Sequence, residues 1–411
     1  MRTLIYNTRF TAWATGLAFD RLGNAMYTVV LPLMVYHMTA SLQNMAIVSI
    51  SQFLPRVFPG IYAGSIVDIS NKKHIFFCSL LVQFAIGLTI AFLYSIDALP
   101  FALLCVLAAA TSVAFEVSRT TEMTLVPALF AKDRVEATTA LASIHTAMFM
   151  IGPIIGAVLL KYFSYTVLLL INALTYLAPL LANYWTKIPS MQAVEHQVKG
   201  LREKFVLTNL SLKESLVRVH QSKPLRLLIM FIICITLATG GLELLIIFYI
   251  KNKLGVSDQF ASFMYAVSAG GMFLGSILVP VFKGMARKSF LFITLLMIAA
   301  GVMLFQYGSV PALLAGQLFT FMGIFACRVT QDLIIQESAP QAMLGRISGL
   351  LRIINSAMIS LSTIFLTSLA AVLSFKYIAL IIILMVLVAL MLSQNPHFSS
   401  TRYENGENLN E

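Results

Sequence analysis

Several ionisable residues of this 411-residue chain stand inside long apolar runs, where charge is costly. Asp20 and Arg21 are adjacent, Glu116 and Arg119 are three residues apart, and Arg328 and Asp332 are four apart. Arg56, Glu243 and Arg352 stand singly. A charge at bilayer depth costs several kcal/mol on most scales, so such residues read as functional. Two chemistries follow. A carboxylate in a partly dry cavity can bind and release a proton, which makes Asp20, Glu116, Glu243 and Asp332 candidates for proton coupling. A guanidinium reads carboxylates bidentately, so Arg21, Arg56, Arg119, Arg328 and Arg352, with the amide of Asn24, are candidates for lining a substrate cavity. The five arginines outnumber the four acids, which favours a substrate with carboxylate or catecholate groups.

Other chemistry has little support in the residues. Cys78, Cys105, Cys234 and Cys327 all lie in apolar runs and read as small hydrophobes. The six histidines are scattered without metal spacing, and no lysine follows a phosphate-cradling glycine loop. No metal, no cofactor and no enzymatic activity are expected.

The elements that must hold these groups are apolar helices. The chain is 59% hydrophobic and 11% charged, against about 25% charge in an average soluble protein. A spanning helix needs about 20 apolar residues. Twelve runs qualify: 10–37, 44–67, 74–94, 99–124, 138–160, 165–186, 226–250, 259–282, 289–308, 311–335, 347–373 and 376–393. They are numbered spans 1 to 12. Met1 to Arg9 is short and mildly basic, without a small-residue cleavage site, so span 1 is expected to be retained. With the amino terminus inside, 19 of the 28 Lys and Arg residues fall on the cytoplasmic side, four fall outside and five within spans. That asymmetry places both termini in the cytoplasm. It also accounts for the net charge of +11 without a nucleic-acid partner.

Residues 187–225 are polar and basic and divide the spans six and six. The expected organisation is an amino-terminal six-helix bundle over 1–186, a cytoplasmic linker over 187–225, a second bundle over 226–395 and a polar tail over 396–411. In the linker, Ser211-Leu-Lys-Glu214 has capping-box spacing. It predicts a short amphipathic helix on the inner membrane surface, ended by Lys223-Pro224. The halves read as repeats, since Gly64-Ser-Ile recurs as Gly275-Ser-Ile and Lys72-Lys73 has a looser echo in Arg287-Lys288. Near that offset, Glu116 and Arg119 correspond to Arg328 and Asp332, with the signs reversed. These groups can pair across the repeat or locally within each helix, at i, i+3 and i, i+4.

Charge in the spans also has a period of three. Spans 1, 4, 7 and 10 carry most of it, spans 2 and 11 add Arg56 and Arg352, and spans 3, 6, 9 and 12 carry none in their interiors.

Two local motifs sharpen the reading. Between spans 2 and 3 lies Gly64-Ser-Ile-Val-Asp68-Ile-Ser-Asn-Lys72-Lys73. It resembles the loop between the second and third helices of major facilitator superfamily transporters, Gly-x-x-x-Asp-x-x-x-(Arg/Lys)-(Arg/Lys). Span 5 contains Gly152-Pro153-Ile-Ile-Gly156-Ala157, similar to the Gly-Pro-x-x-Gly-Gly motif of exporting members, with alanine for the last glycine. The segments Val126–Ala140 and Ala339–Leu350 resemble the macrolide-efflux and enterobactin-exporter branch of drug:proton antiporters. So does Asp20-Arg-Leu-Gly23-Asn24, although Asn24 fills a slot that is acidic in that group. The resemblance implies an all-α integral membrane protein, with twelve helices in two pseudo-symmetric six-helix bundles. It implies that helices 1, 4, 7 and 10 line a cavity, that 3, 6, 9 and 12 face lipid, and that Gly64, Asp68, Lys72 and Lys73 form a gate. It further implies a monomeric secondary exporter in a bacterial cell membrane, surrounded by lipid and driven by the proton gradient. The expected cargo is a small drug- or antibiotic-like molecule, alternatively a siderophore, with proton-coupled uptake as a lesser alternative.

The charge asymmetry gives a direct test of orientation. Cysteines introduced at Gln197 and Glu407 should resist an impermeant maleimide added outside intact cells. Ready labelling at either position would mean an odd or inverted set of spans.

Overall fold

The computed structural model describes residues 7–69, 71–130, 134–185, 201–282, 284–338 and 344–396. These form two compact units, Met1–Leu210 and Ser211–Glu411. The division falls inside the polar stretch 187–225. Each unit contains six of the expected spans, and every observed end lies within five residues of the bound read from the sequence.

In the first unit, span 1 is one helix, Thr8–Thr39, and Asn7 caps it by accepting from the amides of Arg9 and Phe10. Span 2 is interrupted. Leu42–Phe53 gives way to a single 3₁₀ turn, Leu54–Arg56, before Val57–Ile69. Pro55, which lacks an N–H, sits at the start of that turn. Span 3 is Lys72–Ser95, with Asn71 as its cap. Span 4 is Phe101–Leu129 and span 5 is Arg134–Tyr162. Span 6 is two pieces, Tyr165–Thr175 and Leu177–Trp185, parted at Tyr176.

The second unit holds span 7 as Lys223–Thr239 and Leu242–Leu254, followed by span 8 (Asp258–Val281), span 9 (Arg287–Leu304), span 10 (Val310–Ser338), span 11 (Leu344–Val372) and span 12 (Phe375–Ser393). Span 7 breaks at Gly240-Gly241 because span 11 crosses there. A β-carbon on Gly241 would lie 2.7 Å from the Thr363 Cα. One hydroxyl satisfies both sides of the break. Ser362 Oγ accepts from the Gly241 amide at 2.9 Å and donates to the Leu237 carbonyl at 2.8 Å.

Among the described residues, ten stretches are long and apolar enough to cross a bilayer. Spans 1 and 2 complete the twelve. The first carries Asp20, Arg21 and Asn24 at its middle, and the second is interrupted at Pro55. Spans 3, 6, 9 and 12 expose large apolar side chains such as Phe92, Leu174, Leu296 and Leu384, as helices against lipid do.

The linker differs from its sequence reading. Its helix runs unbroken over Leu201–Gln221, so Ser211 lies mid-helix rather than at a cap. Arg202, Glu203, Lys204 and Leu207 are strong helix formers and extend the helix upstream of that box. The predicted stop holds: the helix ends before Lys223-Pro224, which opens span 7. Val206, Leu210, Leu216 and Val217 are exposed on it.

The first unit packs around Phe10, Trp13, Leu17, Phe76, Leu80 and Tyr176, with Trp13 stacked on Phe76 at 5.1 Å. In the second unit, spans 8 and 10 meet along small residues, and two neighbouring glycines on span 8 give a clean contrast. A β-carbon on Gly271 would lie 2.6 Å from the Leu318 carbonyl oxygen, whereas one on Gly270 would meet nothing within 4 Å. Gly271→Ala should therefore destabilise the detergent-purified protein by about 1–3 kcal/mol. Gly270→Ala should be neutral or raise stability by up to about 1 kcal/mol. Thermal melts followed by far-ultraviolet circular dichroism compare the two.

Candidate functional site

The interior of the first unit contains a chain of polar contacts centred on span 1. Asp20 and Asn24 are one turn apart on the same face. The Asn24 amide donates to Asp20 Oδ1 at 2.9 Å and to the Asp20 carbonyl at 2.8 Å. Arg21 Nη1 donates to Asp20 Oδ2 at 2.9 Å, and Arg21 Nη2 pairs with Glu122 Oε2 of span 4. Asp20 is 1% and Arg21 5% exposed. On the far side, the Tyr176 hydroxyl donates to Asn24 Oδ1 at 3.2 Å. Hydrogen bonds and ion pairs thus join spans 6, 1 and 4 in one line.

Local sequence explains the arrangement. Glu116, Arg119 and Glu122 recur every three residues, so each neighbours the next along one side of span 4. Tyr176 reaches inward because span 6 is interrupted there; the same side chain belongs to the apolar core around Trp13. Span 5 closes on span 1 beside the cluster. Gly152 lies against Ala25 and the Leu22 carbonyl, and Gly156 lies against Met26. The exporter-like motif Gly152-Pro153…Gly156 therefore acts here as a packing seam that fixes the depth of span 1, with Pro153 inside the helix.

A second guanidinium enters from the interruption in span 2. Arg56 lies 4.9 Å from the centre of the Phe115 ring and 5.1 Å from that of Phe53, and Arg21 lies 5.1 Å from the same Phe115 ring. Among the described residues Arg56 has no ion-pair partner, and its Nε is buried without an acceptor. Glu116, 7% exposed, acts on Arg56 and Arg21 through its charge, without an ion pair to Arg119 among the described residues.

The second unit presents its polar groups more sparsely. Glu243 is the second residue of the outer piece of span 7, directly after the Gly240-Gly241 break. The neutral Ser268 on span 8 is the polar group that acts on it. Gln317 of span 10 donates to Ser268 Oγ at 2.5 Å, and its own Oε1 is buried without a partner. Arg328 and Asp332 are exposed one turn apart on span 10, in electrostatic range but without an ion pair within 4 Å among the described residues. Arg352 is half-buried on span 11.

Some expectations change on this evidence. Glu122 was absent from the acids counted in the sequence, yet it is the inter-helix partner of Arg21. The signal was available, as the next step of the Glu116–Arg119 spacing. With Glu122 included, the acids equal the arginines, and Arg21 is occupied by two of them. The excess of arginine that favoured an anionic substrate therefore disappears, and only Arg56 still carries that argument. Tyr176 on the uncharged span 6 was also missed. So was Arg287, 2% exposed, which holds Glu337 at 2.6 Å and joins spans 9 and 10. In the gating motif, Lys72 and Lys73 open span 3, while the side chains of Gly64 and Asp68 lie outside the described residues. Among the described residues no three His, Cys, Asp or Glu side chains gather as a metal site would need.

The sequence profile of the Major Facilitator Superfamily matches residues 13–363. The chain belongs to the Major Facilitator Superfamily. It is a membrane transporter of small molecules and not an enzyme. Solved structures of superfamily size share its fold. One is a bacterial homologue of the iron transporter ferroportin in an inward-facing state, 16% identical, with a TM-score of 0.67 over 93% of this chain and 97% of that one. Another is a bacterial homologue of the human lysosomal transporter Spinster, inward-facing and unoccupied, 13% identical, with a TM-score of 0.70 over 96% of each chain. A third is the human organic anion transporter MFSD10, 14% identical, with a TM-score of 0.66 over 94% of this chain and 98% of that one. Comparison with curated protein sequences gives no match.

Within this superfamily member, Arg21 is the group whose removal should be felt most. Arg21→Gln leaves two buried carboxylates facing each other and should cost about 3–5 kcal/mol. The double variant Arg21→Gln/Glu122→Gln should recover part of that loss. Thermal melts of the four species in one detergent give the coupling, and strict additivity would show that the two side chains do not interact.

Proposed function

We propose that this transporter is a secondary active exporter, exchanging external protons for a small amphipathic drug- or antibiotic-like molecule by alternating access. In this reading it works as a monomer in a bacterial cell membrane with both termini cytoplasmic, and it takes its energy from the proton gradient without a cofactor. The observation that supports the reading is the buried Asp20–Arg21–Glu122 cluster. One guanidinium balances one carboxylate. The second negative charge calls for a proton or a cationic group, so proton and basic substrate compete for it. Competition of that kind is what exchange requires. The exporter-like motif packed on span 1 beside the cluster points the same way.

A second reading rests on Arg56. A planar guanidinium held against two aromatic rings, with no ionic partner among the described residues, suits a carboxylate or catecholate such as a siderophore carries. The organic anion transporter among the structural neighbours is compatible with this reading.

The two readings differ in sign. A cationic substrate competes with the proton, so its binding should weaken as pH falls. An anion at Arg56 gains from a proton bound nearby, so its binding should tighten as pH falls. Titrations of the purified protein with a lipophilic cationic dye and with an aromatic carboxylate, each between pH 5.5 and 8, distinguish them. In proteoliposomes, exchange of one proton per substrate should support about a tenfold substrate gradient per pH unit. A protonophore should abolish it. Transport indifferent to the pH gradient would overturn the exchange reading.

A further inference from the structure

The cluster contains two carboxylates, and the hydrogen bonding around them is unequal. Both oxygens of Asp20 are engaged: Oδ2 accepts from Arg21 Nη1 at 2.9 Å and Oδ1 accepts from Asn24 Nδ2 at 2.9 Å. The Asn24 amide has one workable orientation. Its Nδ2 also donates to the Asp20 carbonyl at 2.8 Å, and its Oδ1 accepts from the Tyr176 hydroxyl at 3.2 Å. Flipping the amide would set its oxygen against two acceptors and its NH₂ against a donor. A proton added to Asp20 would meet a donor at either oxygen, in a site where that side chain is 2% exposed. Glu122 differs on each count. It is joined through Oε2 alone to Arg21, and its side chain is 14% exposed. Its Oε1 makes no hydrogen bond among the described residues.

We propose that Glu122 is the proton-carrying carboxylate, and that Asn24 and Tyr176 are positioning residues that hold Asp20 as the fixed counter-charge of Arg21. The assignment rests on the proton-exchange reading above. A proton arriving from water forms an O–H bond at Glu122, and the ion pair between Glu122 and Arg21 Nη2 opens. Asp20 and Arg21 remain as a neutral pair on span 1. Loss of the proton restores the carboxylate and the bond between spans 1 and 4. The proton thus decides whether these two spans are tied together by charge. The other charged groups around the cluster are Glu116, which acts on Arg21 and Arg56, Arg119 one turn before Glu122 on span 4, and Arg56 itself across Phe115. In the proposed step these groups keep their charges.

The test uses the reconstituted full-length protein and two measurements: efflux of a lipophilic cationic dye driven by an imposed pH gradient, and exchange of that dye for itself at equal pH on both sides. Glu122→Gln should lower gradient-driven efflux at least about tenfold and weaken dye binding, and the dye exchange that remains at saturating dye should no longer vary with pH. Glu122→Asp, which keeps the carboxylate, should retain gradient-driven efflux and guards against a loss due only to misfolding. Tyr176→Phe should keep gradient-driven efflux but move the midpoint of its pH profile, which a purely structural contact would not do. Wild-type proton drive in Glu122→Gln would overturn the assignment. So would an Asp20→Asn variant that loses proton drive and keeps exchange. If the wild-type protein itself shows no response to the pH gradient, the exchange reading fails first, before any variant is compared.

Discussion

A charge inside a bilayer must be answered by another group inside the bilayer, and the first unit is arranged around that requirement. Arg21 is 5% exposed at the middle of a 32-residue helix. Water is not available to solvate it, so the protein supplies Asp20 from the same helix and Glu122 from span 4. Each partner brings its own demands. Asp20 has a second oxygen, which Asn24 satisfies; Asn24 has a carbonyl, which Tyr176 satisfies. The polar chain ends where the remaining groups can be met by apolar packing or by local helix carbonyls. Three spans are joined along this line, spans 1 and 4 by an ion pair and spans 1 and 6 by a hydrogen bond between neutral groups.

The line can form because the helices around it are irregular. Span 2 turns through a 3₁₀ step at Pro55, and that step carries Arg56 toward Phe115. Span 6 is interrupted at Tyr176, the residue that reaches Asn24. In the second unit, span 7 parts at Gly240-Gly241, and Glu243 follows two residues later. Broken helices are costly in lipid unless the freed backbone groups find partners. Ser362 meets that condition at span 7 by bonding both sides of the break. Irregularity and polarity therefore occur together: where a helix is broken, a polar side chain faces the interior. Close packing holds the rest. Glycines at 152 and 156 let span 5 approach span 1, and the absence of a side chain at Gly271 lets span 8 approach span 10.

The two units are unlike in their chemistry although they repeat in sequence. The first concentrates Asp20, Arg21, Glu122, Glu116 and Arg56 in one region. The second sets Glu243 near the neutral Ser268, which Gln317 in turn holds, and it uses its buried guanidinium, Arg287, to join two spans. The two halves share the order of their helices and a few glycines, such as Gly64 and Gly275, because helix order is set by length and packing. They do not share the charges, because a charge is tolerated only where its own neighbours answer it.

The sequence alone determined the number of spans, their ends to within five residues, and which spans carry charge. These follow from hydropathy and spacing, which are local properties read directly along a chain in lipid. It did not determine which charges meet. The spacing of Glu116 and Arg119 left local and cross-repeat pairing equally open, and it gave no sign of the ion pair from Arg21 to Glu122, 101 residues away. Tyr176 sat in a span without a charge and drew no functional reading, and Arg287 was noted only as an echo of Lys72-Lys73. Each of these roles depends on what another helix places opposite the side chain. That is decided by the depth and rotation of whole helices, set by glycine seams and breaks, and a one-dimensional pattern does not contain it.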